Sequence, residues 1–116
     1  MNKTILLAGI LTSVGFSQSV LAGGDAAAGK TIAEQTCQAC HGVNGNSSNA
    51  QYPKLAGQHA DYIVRALTDY KSGTRKNPVM SGFASGLSAQ DRKDVAAWFS
   101  QQEASLFTPE LARTVQ

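Results

Sequence analysis

No apolar run in this 116-residue chain is long enough to cross a bilayer. The unbroken stretch from Ile5 to Leu11 follows Lys3 and precedes Val20-Leu21-Ala22, where small or aliphatic residues suit a signal peptidase. Residues 1–22 are therefore expected to be a cleaved signal peptide, and residues 23–116 a single soluble domain in the periplasm. An excess of one charge is also missing. Ten Lys and Arg face eight Asp and Glu, which excludes the many phosphate contacts on which nucleic-acid binding rests. Strand-like alternation never lasts beyond a few residues and no repeat is visible, so neither a sheet nor a solenoid is expected. Cysteine is confined to Cys37 and Cys40. A bridge between them would close a loop too small to restrict the unfolded chain, so their spacing requires another explanation.

Three helical segments are present in the pattern. The first starts at Asp25, a good N-cap, and runs to about Cys37. Its small and apolar stripe of Gly29, Ile32, Ala33 and Thr36 leads directly to the cysteines. The second runs from about His59 to Lys71, with Tyr62, Ile63, Ala66, Leu67 and Tyr70 on one face and Gly73 as its stop. The third follows Leu87, opens on the capping-box pattern Ser88-Ala89-Gln90-Asp91 and runs to about Gln102, with Val95, Trp98 and Phe99 as its buried edge. Between them, Gly42 to Gly57 and Thr74 to Gly86 read as loops, the second holding Pro78 and Met80; Thr108-Pro109 is placed to start one more short turn. Three short helices and long loops make a thin core for so small a domain, so a large apolar component is expected from outside the chain.

Cys37-Gln38-Ala39-Cys40-His41 has the C-x-x-C-H spacing of covalent haem attachment. Cysteines three apart on one helical turn point to the same side and can meet the two vinyl groups, while the adjacent His41 is turned to reach the iron as proximal ligand. A thioredoxin-like dithiol would sit in a βαβ setting, which is absent here. A structural zinc site needs four ligands, and beyond the two cysteines the chain offers only His41 and His59. Met80 is the candidate for the second axial position, being the only methionine left after export. Ligation by His59 and an iron left open for a small ligand are the alternatives. A thioether ligand favours reduced iron and raises the potential, which suits an electron carrier rather than an enzyme.

With these residues in place, the chain resembles a class I c-type cytochrome, most closely the small bacterial cytochrome c553 group or one half of a cytochrome c4. The resemblance covers nearly all of 24–103 and rests on Gly29, Cys37 to Gly42, Tyr52-Pro53-Lys54-Leu55-Ala56-Gly57-Gln58, Asn77-Pro78-Val79-Met80 and the helix from Leu87 to Gln102. It implies an all-α fold, three main helices with long loops around one covalently bound haem c. It also implies Cys37 and Cys40 as thioether links and His41 and Met80 as axial ligands. Pro53 would accept the other ring N–H of His41, Leu55 would pack on the haem, and Gly29 would let the first helix cross the last near Val95 and Trp98. Ala33 departs from the pattern, since many class I members carry an aromatic residue there. The function implied is that of a monomeric electron-transfer protein serving other redox proteins. The alternative is a haem subunit or ligand-binding sensor within a larger oxidoreductase complex. Lys71, Arg75 and Lys76 form a basic cluster, read either as a solvated helix end or as a docking patch for an acidic partner.

Overall fold

The structure, a computed structural model, describes residues 23–104. The expected signal peptide at 1–22 and the turn expected at Thr108-Pro109 lie outside the described residues. Among the described residues every regular element is helical: α1 (Ala26–Ile32), a π turn (Ala33–Cys37), α2 (Gln38–His41), α3 (Ala60–Ser72), α4 (Pro78–Ser85) and α5 (Ala89–Ser100).

Asp25 caps α1, its carboxylate accepting from the N–H groups of Ala27 at 2.8 Å and Ala28 at 3.3 Å. The first segment was expected to end near Cys37, but helical geometry continues through the π turn to His41. Nothing in Gln38-Ala39-Cys40-His41 breaks a helix. The chain turns away only at Gly42, whose φ of 75° a side chain would resist. All five residues of the C-x-x-C-H motif therefore lie on one continuous helical path.

This path crosses α5 at very short range. A Cβ placed on Gly29 would lie 1.9 Å from the Asp94 carbonyl oxygen, and one on Gly24 would lie 1.9 Å from the Lys93 carbonyl oxygen. Asp94 secures the same crossing. Buried to 6% exposure, its Oδ1 accepts from the Asp25 N–H at 2.7 Å and from Gln90 Nε2 at 2.8 Å. The crossing is thus built from backbone proximity, with Ala33 fully buried beside it. Gly29→Ala is expected to destabilise the protein by roughly 3 kcal/mol, because the obstacle is a backbone carbonyl and not a flexible side chain. Denaturant unfolding of the mature protein measures this, and an unchanged midpoint would show that the two helices can separate freely.

Ser88 and Asp91 close the reciprocal cap expected at the start of α5, at 3.1 Å and 2.8 Å. Gly73, in the left-handed conformation, ends α3. The segment Thr74 to Gly86, in contrast, is not the loop its glycines and proline indicated. It contains α4, whose N-cap Asn77 accepts from the Val79 and Met80 N–H groups, both at 3.1 Å, with Pro78 in the first turn. Asn-Pro is an N-cap followed by a residue preset for the first helical position, and that was the available signal. The all-α class stands, with α4 added to the three helices expected.

Among the described residues, the buried apolar ones are Ala33, Ile63, Leu67, Ala84, Leu87, Val95, Ala96 and Phe99. Three of these are alanines, and Val95 and Phe99 are the largest that are fully enclosed. The core is as thin as the sequence indicated.

Candidate functional site

A cleft of about 350 Å³ opens between the C-x-x-C-H turn, the loop around Pro53, and helices α3, α4 and α5. Cys37, Cys40 and His41 line it from the first helical path, Pro53 and Leu55 from the loop, and Met80 from α4. The apolar stripe on α3 faces this cleft, since Tyr62, Ile63, Ala66, Leu67 and Tyr70 all lie on its wall. Phe99 and Val95 close it from α5. Part of the wall is open to solvent, with Val79 61% and Phe83 47% exposed.

His41 is buried, and its Nδ1 lies 2.8 Å from the Pro53 carbonyl oxygen. A carbonyl oxygen can only accept, so Nδ1 carries the proton and Nε2 keeps the lone pair that a metal requires. The edge of the Tyr52 ring braces the imidazole, with centroids 6.4 Å apart. The loop holding Pro53 is itself fixed: the Gly45 carbonyl accepts from Leu55 N–H at 2.7 Å, and Gly57 N–H donates to the Phe99 carbonyl at 2.9 Å. The two cysteines are not bridged to each other, and both are half-buried. Burial pushes the Cys37 thiol up to about 11, so it is neutral at pH 7. Met80, half-buried, reaches the wall from the first turn of α4. His59 is exposed at the N-cap of α3 and does not line the cleft.

Sequence reasoning did not foresee the arrangement of the basic cluster. Arg75 lies at the cleft wall, its Nη1 donating to Tyr62 Oη at 3.2 Å and its guanidinium 5.0 Å from the centre of the Tyr70 ring. The Tyr62 hydrogen bond is the main reason its pKa is raised further. Lys71 donates to the carbonyls of Ser85 at 3.0 Å and Leu87 at 2.6 Å. Two of the three basic side chains thus make hydrogen bonds within the domain, while all three remain exposed.

A helical domain presenting two thiols, an oriented imidazole and a thioether to one apolar cleft has the layout of a haem-binding domain. The chain belongs to the cytochrome c family, whose model matches residues 26–103. It is 43% identical to cytochrome c4 of Pseudomonas aeruginosa over 91% of this chain and 51% of that protein. It is also 43% identical to cytochrome c-554(548) of Halomonas halodenitrificans, over 69% of this chain and 99% of that protein. The crystal structure of reduced recombinant cytochrome c4 from Pseudomonas stutzeri superposes with a TM-score of 0.66 at 43% identity, covering 72% of this chain and 48% of that one. The chain thus spans about half the length of the cytochromes c4 it matches. The class I cytochrome c fold and the likeness to one half of a cytochrome c4 are borne out.

Membership implies a covalently bound haem c, and the cleft fits that group. Its floor is apolar, and its two thiols are one helical turn apart. No Asp or Glu is among the described residues lining it, and its charged side chains, Lys54 and Arg75, are both basic. Those charges suit a porphyrin carrying two propionates.

Proposed function

We propose that this protein is a periplasmic monohaem electron carrier, exported with residues 1–22 removed, acting as a monomer between larger redox proteins and catalysing no reaction alone. The observation that carries the proposal is the convergence of Cys37, Cys40, His41 and Met80 on one cleft wall system, with His41 Nδ1 held by Pro53.

Bound haem c supplies reversible one-electron chemistry at iron. The chain's residues set how that chemistry is used. Cys37 and Cys40 Sγ form the thioether links, which keep the group attached through local opening. His41 Nε2 would hold the iron, and the Pro53 carbonyl fixes the imidazole's orientation and would raise its basicity. Met80 Sδ, on the cleft wall, would hold it as well, and the preference of a thioether for reduced iron would raise the potential. Leu55, Leu67 and Phe99 exclude water from the cleft. Two protein ligands kept in both oxidation states would leave little to rearrange on electron transfer and no position open to a substrate.

Carbon monoxide tests this reading. The reduced native protein is expected to show a low-spin spectrum that carbon monoxide leaves unchanged over minutes. Rapid binding would contradict a carrier and favour the ligand-binding sensor.

A further inference from the structure

We propose that Lys71 is a positioning residue for Met80, holding α4 in place through carbonyls at that helix's C-terminal end. The inference rests on Met80 being the axial ligand, and it concerns what keeps the thioether within reach.

Helix α4 has eight residues, well below the roughly 12–15 at which an isolated helix becomes even marginally stable. Tertiary contacts must therefore hold it, and α3 is the helix it packs against. Ala84 is its only buried residue, and Val79, Met80 and Phe83 line the cleft, so its C-terminal end depends on contacts outside that cleft. At its start the Asn77 cap satisfies N–H groups but joins α4 to nothing beyond its own connection to α3. At its end, Gly86 N–H turns back to the Phe83 carbonyl at 3.3 Å and Leu87 N–H to that of Ala84 at 3.2 Å. The Ser85 carbonyl, one of the terminal acceptors a helix cannot satisfy internally, receives the Lys71 ammonium at 3.0 Å. The same ammonium donates to the Leu87 carbonyl at 2.6 Å.

Lys71 stands in the last turn of α3, and the geometry makes it a tie between that helix and the α4–α5 connection. Three properties suit it to this place. Its charge meets the negative end of the α4 dipole. Its three N–H donors allow both carbonyls to be served at once. Its bonds are charge-assisted, hence stronger than those between neutral groups. Arg92 Nη1 also reaches the Leu87 carbonyl, at 3.0 Å, but makes no bond to Ser85, so Lys71 alone of the two grips α4 itself. An eight-residue helix is about 12 Å long. Freed at its far end, α4 can tilt about Asn77, and Met80 moves with it.

The test uses mature holoprotein. Lys71→Met keeps the aliphatic stem and removes every donor, whereas Lys71→Arg keeps charge and donors. Imidazole binding to the oxidised protein, together with the Met–iron charge-transfer band, reports how firmly Met80 is held. The methionine variant is expected to bind imidazole roughly tenfold more tightly, as two charge-assisted bonds are lost, and to show a weakened band. The arginine variant should return both toward wild type. Imidazole affinity and band unchanged in Lys71→Met, or not restored by arginine, would overturn the proposal. If Lys71→Met does not accumulate, Lys71→Gln, uncharged and shorter, gives the same comparison. Met80→Ala, run beside them, separates the two levels. If it opens the iron while Lys71→Met does not, only the role of Lys71 falls. If it leaves imidazole binding unchanged, Met80 is not the ligand and both readings fall.

Discussion

Exported as the double variant Cys37→Ser, Cys40→Ser, the chain is expected to be recovered unfolded or degraded. The reason is the shortage of apolar mass. Alanine supplies three of the buried apolar positions, and Val95 and Phe99 are the largest side chains fully enclosed. The best amphipathic stripe in the sequence, on α3, is shared between the cleft and the packing against α4 and α5. A domain of this size seldom reaches useful stability from such a core without a staple or cofactor. A group bound only by the folded state adds its binding free energy to folding, and a covalent link keeps that group at hand whenever the domain opens. Soluble yield and a circular-dichroism melt provide the measurement. A cooperative apo-protein transition near the wild-type temperature would show that the polypeptide is sufficient alone.

Replacing Met80 with alanine is expected to lower the reduction potential by on the order of 0.2 V, within the span of about 0.8 V that axial ligands command. It should also open the iron to carbon monoxide and imidazole. The fold should survive, because Met80 is only half-buried and the Asn77 cap uses backbone N–H groups that alanine retains. A spectroelectrochemical titration reads both effects. A spectrum and potential indistinguishable from wild type would remove Met80 from the site. His59 would be a poor substitute in that event, since it is exposed at the head of α3 and lies off the cleft.

Features held by short-range chemistry were legible in the sequence. Asp25 and Ser88 announce their helices because each side chain bonds an N–H two or three residues away. The C-x-x-C-H turn is legible because its chemistry resides in five consecutive residues. Long-range features were not. The carboxylate of Asp94 bonds the N–H of Asp25 across 69 positions, and no periodicity reveals it. Helix α4 read as a loop because Gly82 and its flanking glycine depress helix propensity, while one of its anchors, Lys71, sits on another helix. Lys71 and Arg75 are surface charges, as read, but their partners, carbonyls and aromatic rings, have no counterpart in a count of charges. The π turn before Cys37 has no local signature at all. The face of α3 was correctly identified, but periodicity could not show that the same face both packs on helices and lines a cleft.

The most direct measurement is the intact mass and visible spectrum of the wild-type chain exported from a host competent in cytochrome maturation. A coloured protein beginning at Gly23 is expected, carrying the mass of one haem through denaturation and acid extraction. A colourless product at the mass of its amino acids alone, with both thiols open to alkylation, would contradict that expectation.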